Sequence, residues 1–210
     1  MLKSLVNFPK ETEILYTRKA TPPAERLVTY YELYKLISHL DGSIIKCGIS
    51  ADEAFSYFSF FKQIIGHKKQ PMVSFEKNPS VFETVQVNEE TVTAVKSKSI
   101  NASQIELVKK GKKENIEFLP GQLSDSIPIY LIDNPELKIA LLTIDLDDYE
   151  TTLTAMQYFY PRLVSGGVLI MNNYHKRNGE SLAIKEYFYN DDIFIRHFSL
   201  EKGPHYILKD

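Results

Sequence analysis

Tryptophan is absent from the 210 residues, and cysteine occurs once, at Cys47. A single cysteine excludes an internal disulfide and a cysteine-rich zinc site. Because it lies within the apolar run SIIKCGIS, a small core residue is the plain reading, ahead of a nucleophile. Long apolar stretches are missing too: nothing approaches the roughly 18 residues of a membrane span. The opening MLKSLVNFPKETEIL has no apolar segment followed by a small-residue cleavage site. A cytoplasmic protein with no membrane partner is expected. Charge of one sign is also lacking, since 25 Lys and Arg face 27 Asp and Glu for a net charge of -2. With no basic stripe, nucleic acid is not the expected partner, and a small molecule or a glycan is. Finally, there is no G-x-G-x-x-G. The turn KCGISADEA holds one glycine, Gly48, which is a weak cofactor signal and argues against a nicotinamide oxidoreductase.

What is present is a core. Hydrophobic residues make up 43% of the chain and aromatics 12%, enough for one globular unit. Residues 1–23 lack a clear period and end in TPP, so they read as an amino-terminal arm or lid. Residues 24–210 then form the domain. AERLVTYYELYKLISHL spaces Leu27, Tyr30, Tyr31, Tyr34 and Ile37 as an amphipathic helix does. SIIKCGIS is a strand running into the helix ADEAFSYFSFFKQII, and PMVSFEKNPS is a second strand ending near Glu76. SVFETVQVNEETVTAV and NASQIELVKKGKKE are read as helical, with the KKGKKE run as a solvated helix end. NIEFLPG is a short strand closed by Pro120 and Gly121. KIALLTIDL is a strand, YETTLTAMQYFYPRL a helix, SGG a turn and VLIMNNY a strand. Alternating strands and helices, with strands apolar along their length, imply an α/β fold with a mostly parallel sheet covered on both faces. The tail DIFIRHFSLEKGPHYILKD implies an antiparallel hairpin at the sheet edge around EKGP.

Ligands of such sheets bind beyond the carboxyl ends of the strands. Three polar strand ends fall there: Glu76, the group Asp145, Asp147 and Asp148, and the pair Asn172 and Asn173. Alternation along a strand would aim Asp145 and Asp147 the same way, so that with the asparagines they hold a divalent cation such as Mg2+ through oxygen. The plainer reading is that Asp147 or Asp148 caps the following helix. Glu76 is placed to accept hydrogen bonds from ribose hydroxyls, or is simply a solvated strand end. His175 has the chemistry of a general base, or is a surface-loop histidine. His39, His67, His197 and His205 show no ligand spacing.

Four segments in order, AERLVTYYELYKLISHLDGSIIKCGIS, FLPGQLSDSIP, IDLDDYETT and YFYPRLVSGGVLIMNNY, resemble the macrocin O-methyltransferase (TylF) family. The resemblance runs from about Ala24 to the region of Tyr174. It implies a Rossmann-like class I methyltransferase fold, S-adenosylmethionine and Mg2+ as cofactors, and methylation of a sugar hydroxyl in a glycoside, glycan or secondary metabolite. By position it implies Gly48, Glu76, Gly121 and Asp145 as cofactor-binding residues. Asp145, Asp147, Asn172 and Asn173 become the metal group, and Asp147 or His175 the proton acceptor. The chain departs from the family pattern at Lys46, where Glu is usual, at Asp52 and Glu53, where Gly-Gly is usual, and at Asn172 and Asn173, where Asp-Asp is usual. Those departures keep a second expectation open: a non-catalytic relative that binds a glycan, a nucleotide sugar or a protein. Assembly into a homo-oligomer is compatible with either.

Overall fold

A computed structural model describes residues 24–48, 53–65, 70–77, 82–87, 90–95, 116–176, 178–198 and 203–210. Helix α1 spans Ala24–Ile37 and leads into β1, Ser43–Gly48. Helix α2, Glu53–Ile65, precedes β2, Met72–Glu76. A separate antiparallel pair follows, β3 Phe82–Val87 and β4 Glu90–Val95. Next come β5 Ile116–Pro120, α3 Leu123–Asp133, β6 Ile139–Asp145, α4 Tyr149–Phe159 and β7 Leu163–Met171. Helix α5, Gly179–Tyr187, and two closing strands, β8 Arg196–His197 and β9 His205–Leu208, complete the described order.

Seven strands form one sheet in the order β5-β2-β1-β6-β7-β9-β8. The five from β5 to β7 are parallel, while β9 runs antiparallel to β7 and β8 antiparallel to β9. The central strands earn their place by composition: every residue of β1 and β2 is buried, and β6 is buried through Ile144. Strands apolar on both faces need helices on both, and two apolar layers result. One gathers Ile45, Cys47, Val73, Phe75, Leu142 and Ile144 beneath α3, α4 and α5. The other is aromatic, with Tyr30 and Tyr34 of α1 against Tyr57, Phe58 and Phe61 of α2. From β1 the chain winds outward to β2 and β5, then returns to build β6 and β7 on the opposite side. The reversal between β1 and β6 is the place where open α/β sheets leave a crevice.

The expected α/β architecture, parallel sheet and carboxy-terminal antiparallel strands are therefore present. Residues 82–95, expected as helix, instead form the hairpin of β3 and β4. FETVQV and ETVTAV are dense in β-branched residues, which suit a pleated strand better than a helix. The SGG turn lies inside β7: the pairing with β6 jumps from Ile139↔Leu163 to Leu141↔Val168, so the extra residues bulge outward. Lys209 holds that bulge, accepting from the Gly166 N–H at 2.7 Å and donating to the Gly167 carbonyl at 2.9 Å. The expected arm at 1–23 and the helix at 101–114 lie outside the described residues.

Candidate active site

Sheet register alone places most of the candidate residues in one row. Gly48 pairs with Glu76 on one side and with Asp145 on the other. Glu76 pairs with Pro120, and its carbonyl accepts the Gly121 N–H at 3.0 Å. Across β6, the Asn172 N–H donates to the Ile144 carbonyl at 3.0 Å. Gly48, Glu76, Gly121, Asp145 and Asn172 thus stand side by side at the carboxyl ends of five parallel strands. At Gly121 a Cβ would meet nothing within 4 Å, so the backbone there faces open space.

At the ends of β1 and β2 a charged pair is sealed inside. Lys46 sits directly opposite Ser74, and alternation puts both, with Glu76, on the α1–α2 side of the sheet. Lys46 Nζ donates to Glu76 Oε1 at 3.0 Å, with both side chains only 1% exposed. Ser74 Oγ donates to the same oxygen at 2.5 Å, while Oε2 has no hydrogen-bond partner among the described residues. The ammonium reaches this position by passing over Gly48, where an added Cβ would lie 2.8 Å from Nζ and 3.0 Å from Cε. Cys47, between them in sequence, points to the opposite layer. Burial drives its thiol far above the ordinary range, against a smaller lowering by Lys46, which fits a core residue.

The ends of β6 and β7 are organised by a residue that the sequence gives little reason to single out, Glu180. It lies in the first turn of α5, fully buried, and ties two strand ends together. The Leu146 N–H donates to its Oε2 and the Asn173 N–H to its Oε1, each at 2.9 Å. Gly179 makes this reach possible, because a Cβ there would lie 2.4 Å from the Tyr149 nitrogen and 2.7 Å from the Asp148 carbonyl carbon. Burial raises the Glu180 pKa to about 8; the hydrogen bonds from Asn173 and Leu146 oppose that rise and the Asp145 charge adds to it.

Asn173 completes the network. Its Nδ2 donates to Asp145 Oδ1 at 2.8 Å and to Glu180 Oε2 at 3.3 Å, so it presents an amide N–H rather than an oxygen to the two acids. Asn172 Oδ1 accepts from the Tyr30 hydroxyl of α1 at 3.2 Å. Since β6 ends at Asp145 and Leu146 turns inward, strand alternation does not carry on to Asp147. Asp147 is exposed and meets Asn178 Nδ2 at 3.2 Å and Lys176 Nζ at 3.8 Å. Asp148 caps α4, accepting from the Thr151 N–H at 2.9 Å and pairing with Lys77 at 2.5 Å. Partial burial pushes its pKa up, but Lys77 and Thr151 outweigh that and hold it below the ordinary value. His175 is exposed on the short 3-10 turn Tyr174–Lys176.

Sequence spacing also gave no hint that three histidines come together. The His205 ring lies tilted 5.6 Å from that of its cross-strand partner His197 and 5.1 Å from that of Tyr174. Burial lowers its pKa, helped by His197 and His175. Among the described residues no group of three or more His, Cys, Asp or Glu is arranged to hold a metal ion. Nor is any described helix long and apolar enough to cross a membrane.

Comparisons with known proteins agree on this frame. The profile of the family described as Macrocin-O-methyltransferase (TylF) matches residues 76–196. Demethyldecarbamoylnovobiocin O-methyltransferase of Streptomyces niveus is 29% identical over 126 residues, 57% of this chain and 47% of that protein. The 8-demethyl-8-(2,3-dimethoxy-alpha-L-rhamnosyl)-tetracenomycin-C 4'-O-methyltransferase of Streptomyces olivaceus is 34% identical over 61 residues, 29% of this chain and 22% of that protein. The matches thus span about half the length of these relatives or less. Among solved structures, the calicheamicin methyltransferase CalS11 superposes with a TM-score of 0.68 at 20% identity, covering 95% of this chain and 90% of its own. The O-methyltransferase NovP gives 0.63 at 18%, covering 88% and 79%. At these identities the structural likeness establishes the fold.

Proposed function

Because the chain belongs to the macrocin-O-methyltransferase (TylF) family, we propose that it moves a methyl group from S-adenosylmethionine to a hydroxyl of a sugar unit in a glycoside, glycan or secondary metabolite. The observation that carries this reading is the row of Gly48, Glu76, Gly121 and Asp145 within the α/β crevice. Gly48 and Gly121 would let a bound cofactor come close to their backbone, and Glu76, once released from Lys46, would accept from its ribose hydroxyls. When bound, S-adenosylmethionine supplies an electrophilic methyl group on a sulfonium.

The chain's own work is to orient the acceptor hydroxyl in line with that methyl group and to receive its proton. On transfer of that methyl group to the acceptor oxygen, the hydroxyl proton would pass to Asp147 or His175. Both side chains are solvent-facing beside the crevice, so a proton taken up there returns readily to water. Asp145, fixed by Asn173, fits the positioning of the acceptor. Mg2+ is the second cofactor the family implies, and the donors do not suit it as they stand. The Asn173 amide nitrogen occupies Asp145, Tyr30 engages the Asn172 oxygen, and Asp147 turns to Lys176 and Asn178.

A second reading has its own observation. The sealed Lys46–Glu76 pair favours a relative that has lost cofactor chemistry and binds a glycan, a nucleotide sugar or a protein. Transfer of labelled methyl from S-adenosylmethionine to a panel of deoxysugar glycosides separates the two. The enzyme reading expects product, and expects Asp145→Ala to abolish it while circular dichroism stays native. Unchanged turnover in that variant removes Asp145 from the site, and folded wild type that neither binds S-adenosylhomocysteine nor methylates any acceptor leaves the non-catalytic reading.

A further inference from the structure

In this fold an acid at the end of the second strand is available to a ribose diol only when its oxygens are free to accept. Here Glu76 is fully buried and already accepts from Lys46 and Ser74 through a single oxygen, Oε1. The other oxygen, Oε2, is buried with no hydrogen-bond partner among the described residues, a costly state for a carboxylate that a ligand donor would relieve. The ammonium lies across Gly48, over backbone that a ligand must approach. We infer that Lys46 is an internal competitor of the cofactor: its side chain occupies the space above Gly48 and holds Glu76, so that a nucleoside enters only by displacing it. This inference rests on the cofactor reading above and deepens it, making residue 46 the determinant of cofactor affinity.

The charges favour the resting state. A lysine and a glutamate sealed from water at 3.0 Å attract strongly, and neither gains by parting unless a ligand replaces what each loses. A ribose diol offers Glu76 two hydroxyl donors. It offers the ammonium nothing comparable, and a sulfonium adds a like charge nearby. The wild-type protein therefore binds S-adenosylhomocysteine weakly, and removal of the ammonium leaves Glu76 in need of the donors that the ribose carries.

Calorimetric titration with S-adenosylhomocysteine tests this on wild type, Lys46→Glu and Lys46→Ala, with circular dichroism as the fold control. At least tenfold tighter binding is expected in the variants, and the gain should vanish in Lys46→Ala combined with Glu76→Gln. A gain that survives in the double variant would mean that an opened cavity, and not competition for Glu76, is responsible, and would overturn the inference. Equal or weaker binding to folded single variants overturns it while leaving the cofactor reading intact if wild type binds. Absence of binding in every folded protein overturns both. Should the variants fail to fold, 15N spectra of the lysine ammonium groups in wild type decide: the signal of the buried, paired Lys46 must shift or vanish on saturation with ligand, and its persistence overturns the inference.

Discussion

At the ends of β1 and β2 the buried carboxylate Glu76 faces a full positive charge, whereas at the ends of β6 and β7 the equally buried Glu180 meets N–H groups and a neighbouring acid among the described residues. The first end keeps its charges and neutralises them pairwise. The second disfavours charge by burying one acid, which raises its pKa, and giving the other an amide. The lesson lies in what each arrangement can exchange with a ligand. An ion pair yields only to something that satisfies both members, while an amide and a proton can be replaced by a cation or lost to base.

The largest expected effect comes from breaking the charged end. Glu76→Ala removes the carboxylate that faces the buried Lys46 ammonium and should cost about 3–5 kcal/mol in denaturant unfolding. Breaking the other end is next: Glu180→Ala leaves the Leu146 and Asn173 N–H groups buried without acceptors, a loss of about 3 kcal/mol. A graded effect comes from pH. Burial raises the Glu180 pKa in the folded chain to about 8, from an ordinary value of 4.5, so folding takes up a proton between those values. The stability this contributes is complete below about pH 4.5 and is lost as pH rises through 8, with a slope of at most about 1.4 kcal/mol per pH unit. Denaturant midpoints at pH 5, 6.5 and 8 should fall steadily in wild type and show a flatter profile in Glu180→Gln, and parallel profiles would refute the assignment.

Exchange of the amide is a subtler contrast. Asn173→Asp supplies a second carboxylate beside Asp145, and Mn2+ followed by electron paramagnetic resonance should bind at least tenfold tighter than to wild type, about 1.4 kcal/mol. No gain would mean that the amide is not what weakens cation binding at Asp145. The smallest effect is expected outside both networks, where Asp148→Ala removes the α4 cap at about 1 kcal/mol. Its ion pair with Lys77 is more than a third exposed on the aspartate side and adds little.

Legibility in the sequence followed how local each signal is. β1, β2 and β6 announce themselves because burial on both faces demands an unbroken apolar run. Helix α3 is hard to read from sequence because Pro128 lies inside it, and an interior proline argues against a helix. Helix α5 is nine residues long, too short for its period to stand out from GESLAIKEY. Glu180 reads as an ordinary acid in a first helical turn, where the helix dipole would welcome it. Its reach to Leu146, 34 positions earlier, is set by the packing of α5 at Gly179. The departures at Lys46 and Asn173 were visible as letters. That each side chain turns inward onto an acid depends on register and burial, which a single sequence does not display.

One contact also supplies a built-in optical probe. With no tryptophan to drain excitation energy, tyrosine emission dominates the chain's fluorescence, and Tyr30 donates its hydroxyl to Asn172 while its ring packs against Tyr57 and Phe58. Hydrogen bonding of a phenol alters its quantum yield, so a ligand that disturbs the loop after β7 should register as a change in ultraviolet emission, and the difference from Tyr30→Phe isolates the signal of that one ring without any attached dye.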